Sequence, residues 1–93
     1  MILENNRIAA FHVLSNKDGI IKLATSKMYY WHIPKYLRNE PIQQGDIVLV
    51  LTANGFAPVL VMQVFREEFK ETQKRYKRVV KVLERAPKKE PVS

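Results

Sequence analysis

Apolar residues along the chain fall in short runs separated by turn formers, the layout of a strand-built domain. The two strongest runs, residues 47–51 and 59–64, flank Asn54-Gly55. Asn-Gly tolerates the positive φ angles of tight hairpin turns, so this dipeptide between apolar runs predicts a hairpin. Both runs are apolar at successive positions and do not alternate, which predicts strands covered on two sides, as in a small closed barrel or a sheet beneath a helix. Burying such side chains is worth roughly 1.5–3 kcal/mol each, so this hairpin is expected at the centre of the core.

The N-terminal half reads as further strands. Residues 7–14 form a first strand with Ile8, Phe11 and Val13 as packing positions. Residues 15–19, Ser-Asn-Lys-Asp-Gly, are dense in turn formers, and Gly19 can take the left-handed position that closes such a loop. Residues 20–25 then return as a second strand, with Lys22 pointing away from Ile21 and Leu23. Residues 27–33 hold the densest aromatic cluster, Met28-Tyr29-Tyr30-Trp31-His32, and predict a third strand ending at Pro34. Pro34 suits the start of a short helical turn over residues 35–38, and Gly45-Asp46 turns the chain into the central hairpin.

The pattern after Val64 supports two readings. Phe65, Phe69, Thr72, Tyr76, Val79, Val80 and Leu83 recur at helical steps. Against this, Val79-Val80-Lys81-Val82 is β-branched, and the edge left by the central hairpin needs a further strand to cover it. A strand at residues 75–83 is therefore preferred, with an α+β arrangement as the alternative. Residues 1–86 make one domain, and residues 87–93, with Pro87, Pro91 and two lysines, a flexible basic tail.

Charge changes the picture more than composition does. The net charge of +7 is uneven: residues 1–69 carry a balance of +1 and residues 70–93 one of +6. A near-neutral body with a basic C-terminal quarter points to one face meant for a polyanion. The absence of cysteine excludes disulfides, thiolate metal sites and cysteine nucleophiles. No apolar run reaches the ~18 residues of a membrane span, and the N-terminus lacks the layout of a secretory signal, so a cytoplasmic location with no membrane partner is the expectation.

Familiar chemistry is not visible. His12 and His32 stand twenty residues apart with no metal-ligand spacing around either. The three glycines sit singly at turns, no Gly-x-Ser-x-Gly elbow occurs, and Asp46 reads as a turn acceptor. No catalytic residue, metal or cofactor is expected. The cluster Tyr29–His32 has two faces: alternation sends Tyr29 and Trp31 one way and Tyr30 and His32 the other, so one pair can pack while the other stacks unpaired bases beside Lys27, Lys35 and Arg38. The basic series that follows gives a positive line matched to a phosphate backbone whether strand or helix. The candidate nucleic-acid contacts are Lys74, Arg75, Lys77, Arg78 and Lys81 for phosphates, with Tyr30, His32, Lys35 and Arg38 for bases.

Two resemblances bear on this. Gly45-Asp46-Ile47-Val48 and Pro58-Val59-Leu60-Val61 resemble the MazF-type toxin barrel, but Ala57 stands where that family carries the arginine used in RNA cleavage, which argues against a working ribonuclease of that type. The whole chain, above all residues 27–37 and 44–66, is similar to small proteins of Gram-positive bacteria and their plasmids and phages, of the PrgU type found on pheromone-inducible conjugative plasmids. That resemblance implies a PUA-like barrel, RNA binding and control of an adhesin gene.

Together these readings predict a mainly β, PUA/SH3-like barrel of five or six strands with one or two short helices. They predict a non-enzymatic regulator that binds nucleic acid, RNA before DNA, through a basic C-terminal face and controls a plasmid- or phage-borne gene. The alternative is a protein-interaction adaptor or homodimer docking through an apolar edge.

Overall fold

The computed structural model describes residues 5–68 and 76–86. The elements in order are β1 (Arg7–Lys17), β2 (Ile20–His32), a 3-10 turn (Lys35–Leu37), β3 (Ile47–Thr52), β4 (Gly55–Phe65) and β5 (Val79–Glu84). All five strands form one antiparallel sheet in the order β2-β1-β4-β3-β5. The mainly β fold read from the sequence is therefore found, with five strands and one short helical turn.

The two edges of this sheet meet. The His32 N–H at the end of β2 donates to the Lys77 carbonyl at 2.9 Å, just ahead of β5, and His32 bridges Arg78 in parallel. Closing the sheet in this way satisfies polar groups that two edges would otherwise expose. Inside lie Ile8, Ala10, Trp31, Ile33, Ile42, Val48, Val50, Val59, Val61 and Val79. The central hairpin supplies four of these, as its β-branched runs predict. Its second face is less covered than the sequence implies: Leu49, Leu60 and Met62 are half-buried and Phe56 is exposed.

Three sequence expectations need correction. The second and third strands are one strand, β2. Between Ala24 and Tyr29 it spends more residues than β1 does between His12 and Ala10, so the expected break is a register irregularity. No glycine or proline stands there to reverse the chain, and β1 pairs with both halves. The central turn is centred on Ala53-Asn54, not Asn54-Gly55: Thr52 pairs with Gly55, and Gly55 takes the positive φ of 115° while Asn54 does not. Thr52 Oγ1 stabilises this turn by donating to the Gly55 carbonyl and accepting from the Asn54 N–H. The last strand begins at Val79, later than expected, and bulges between its pairings with Val50 and Val48. That bulge lets Val79 and Val82 both pack inward at a spacing of three.

A buried carboxylate locks the end of β5 to the turn before β3. Asp46, 2% exposed, accepts from the Gln43 N–H at 3.0 Å, the Ala86 N–H at 2.7 Å and Arg85 Nη1 at 3.2 Å. Arg85 also donates to the carbonyls of Glu40 and Pro41. Gly45 beside it has φ +94°, and a Cβ there would stand 3.0 Å from Ala86 Cβ. The positive φ favours glycine at that position, and a Cβ there would also press on Ala86.

Candidate nucleic-acid interface

The aromatic segment of β2 passes from the core to the surface within three residues. Trp31 pairs with Ile8 and is buried, its Nε1–H donating to the Leu51 carbonyl at 3.1 Å. Tyr29 shares the inward direction but lies at the mouth of the barrel, where it is 40% exposed. His12 of β1 stands edge-on to both, with centroids 5.2 Å from Tyr29 and 5.5 Å from Trp31. Tyr30 points to the outer face and is 47% exposed.

These rings open onto a hollow of about 440 Å³, lined also by Leu51, Thr52, Asn54, Tyr76 and Lys77. Lys27 places its ammonium 5.0 Å from the centroid of Tyr29. A second hollow, of about 480 Å³, lies across Tyr30 and Tyr76 and is completed by Gln63, Phe65 and Glu67. The same two tyrosines thus form a ridge between the hollows, their centroids 6.2 Å apart. Aromatic faces open to solvent, cations at the rim and amide groups beside them can stack bases and hold phosphates without covalent chemistry.

Arg7 braces the ridge from below. Its side chain is 7% exposed, its Nε stands 3.8 Å from Glu67 Oε1, and its guanidinium lies 5.1 Å from the Tyr76 ring centroid. Its Nη1 donates to the Asn6 carbonyl at 3.2 Å and contacts His32 Nδ1. Burial, then the positive charges of Arg7 and Arg38, hold the His32 imidazole below its ordinary pKa, against a smaller opposing effect of the Asn6 backbone. Desolvation, then the hydrogen bond to Glu67 and its charge, push the Tyr76 phenol above its ordinary value.

The candidate residues separate accordingly. Tyr30 and Lys77 come together on the hollow. Arg78 is exposed, its Nη1 3.5 Å from the Tyr36 hydroxyl, which itself donates to the Val80 carbonyl at 3.1 Å. Lys35 is exposed on the 3-10 turn, and Lys81 is exposed opposite Leu49 of β3. Arg38 donates twice to the Ile33 carbonyl, at 3.1 and 2.6 Å, and His32 is engaged by Arg7. Lys74 and Arg75 lie outside the described residues. Sequence reasoning did not name His12, Asn54 or Tyr76 as contact residues and left open which of the paired aromatics of β2 is exposed. Their proximity depends on how the barrel edges meet, which no local pattern records.

Among the described residues no group of three or more His, Asp or Glu could hold a metal ion. No helix among them is long and apolar enough to cross a membrane. A family model described as a family of unknown function, DUF5839, matches residues 3–85. No curated protein and no solved structure matches the chain.

Proposed function

This chain belongs to DUF5839, a family of unknown function, and we propose that it binds single-stranded nucleic acid, RNA before DNA, as a non-enzymatic regulator. The observation that carries this reading is the paired hollow: exposed Tyr29 and Tyr30, with His12 and Tyr76, beside Lys27 and Lys77. Unpaired bases offer π faces to such rings, at roughly 1–3 kcal/mol each, whereas duplex bases are stacked on one another and unavailable. RNA is preferred because its loops and ends present splayed bases. The resemblance to PrgU-type proteins supports the same choice and extends the proposal to a plasmid- or phage-borne gene.

Arg78, Lys81 and Lys35 extend the positive surface beyond the hollows and serve phosphates flanking the stacked bases. Titrating binding of a labelled single-stranded RNA with salt, against matching DNA and duplex, tests the reading. Three phosphate contacts give a log–log slope of about −2 for a single strand. Lys77→Glu with Arg78→Glu should abolish binding while circular dichroism stays unchanged, since both side chains are exposed. Absence of binding at low salt overturns the proposal.

A second reading rests on the tip of the β1–β2 hairpin. There Leu14 is 67% and Ile20 66% exposed, beyond the last pairing of β1 with β4 at His12. Such side chains suit an apolar contact with a partner protein or a second copy. Light scattering of the purified chain across a salt range separates the two, because an apolar contact is insensitive to salt.

A further inference from the structure

The second hollow contains an acidic group in a strongly basic protein, and the fold holds that group in place. Buried Asn6 clamps the backbone of Glu67 from both sides: Asn6 Nδ2 donates to the Glu67 carbonyl and the Glu67 N–H donates to Asn6 Oδ1, each at 2.8 Å. Glu67 Oε1 is buried towards Arg7 and the carboxylate already accepts from the Tyr76 hydroxyl, yet the side chain keeps 19% of its surface exposed, lines the hollow with Gln63, Tyr30, Phe65 and Tyr76, and has lone pairs left for a further donor. Tyr30 stands edge-on to Phe65 at 6.1 Å. These rings stand with centroids 6.1 and 6.2 Å apart along one side of an open hollow, so they offer faces for a flat ring and not a closed cage for a cation. An ionised carboxylate only accepts hydrogen bonds. A base stacked there is therefore favoured when its edge carries an amino group and disfavoured when that edge carries a carbonyl oxygen.

We propose that this hollow is a base-selecting subsite that takes an amino-bearing base, read by Glu67, in preference to uracil. The inference rests on the single-strand reading above and deepens it. Cytosine and uracil make the cleanest pair, because the rings match in size and differ in an amino group against an oxygen at the same position. Tenfold discrimination through such a contact corresponds to about 1.4 kcal/mol. The Gln63 amide can pair with either base and contributes position without choice.

The test is fluorescence anisotropy with labelled oligo(rC) and oligo(rU) of twelve nucleotides. Oligo(rC) should bind about tenfold tighter. Glu67→Gln should bring the two within twofold, since an amide can donate to the uracil carbonyl as readily as it accepts from cytosine. A probe of N4,N4-dimethylcytidine, which lacks the amino hydrogens, should fall to the oligo(rU) level on the unaltered protein, so the test does not depend on the variant folding. Equal affinity for both strands, or a preference that survives in folded Glu67→Gln, overturns the subsite while leaving single-strand binding intact. Binding of neither strand overturns the parent reading and the subsite with it. Tight binding of a trimethyllysine peptide in place of the strands would overturn both in favour of a cation site.

Discussion

Asp46 offers the sharpest test of how the barrel is held shut. Replacing it by alanine removes an acceptor from two backbone N–H groups, of Gln43 and Ala86, and from Arg85. Hydrogen bonds to a charged partner contribute about 1.5–3 kcal/mol each, and breaking a buried charge pair costs about 3–5 kcal/mol. Because the Arg85 side chain is 42% exposed, its share is discounted for solvent, and the two backbone donors carry most of the loss. A total of about 3–5 kcal/mol is expected for Asp46→Ala. That is a large part of the roughly 5–14 kcal/mol available to a chain of this length. In urea, at a slope of roughly 1.5 kcal/mol/M, the midpoint falls by about 2–3 M. Arg85→Ala should cost less, about 1–2 kcal/mol, because the Gln43 and Ala86 N–H groups still hold the buried Asp46 carboxylate and the lost partner is partly screened by solvent. A loss below about 1 kcal/mol for Asp46→Ala, or equal losses for the two variants, would refute the reasoning.

The remaining predictions concern the site and its supports. Tyr29→Ala and Tyr30→Ala should each weaken single-strand binding by roughly 1–3 kcal/mol in anisotropy with no change in urea midpoint, while Trp31→Ala should cost about 3–5 kcal/mol of stability through its cavity. The depressed His32 pKa means the unfolded chain takes up a proton first. The His32 contribution to stability should therefore be flat above about pH 6.5 and decline as pH falls below it, until the folded imidazole also protonates; His32→Gln should remove that component from a pH series of urea melts. The raised Tyr76 pKa works in the other direction, its stabilisation present below pH 10.0 and lost as pH rises through the folded value, and an ultraviolet phenolate titration compared with Tyr76→Phe checks it. Gly45→Ala should destabilise by about 1–2 kcal/mol through its left-handed backbone alone, read by thermal melting.

Much of the fold was legible because strand formers announce themselves locally. The residue sets of β3 and β4 follow from their β-branched runs, and the Asp18-Gly19 turn, with both φ angles positive, sits inside the stretch read as a turn. What was not legible is register. Val79 and Val82 lie three apart, a helical signature in sequence, yet both face inward because β5 bulges between them. The irregularity in β2 likewise imitates the end of a strand. The site was partly legible: Tyr30 and Lys77 were singled out and lie on one hollow. His12 and Tyr76 were missed because they approach Tyr29 and Tyr30 only once the last segment returns to the first hairpin.

That return sets an order of assembly. β1, β2, β4 and β3 can pair before residues 76–86 arrive, but until then the apolar β3 edge is bare and Val79 is missing from the core. A nascent chain paused at that point would expose a sticky strand in a crowded cell, and non-local pairing of this kind is slow to complete. The segment that lays Tyr76 and Lys77 beside the aromatic mouth is the same one that shuts the barrel, so the proposed binding surface comes into being in the step that ends the chain's exposure to aggregation.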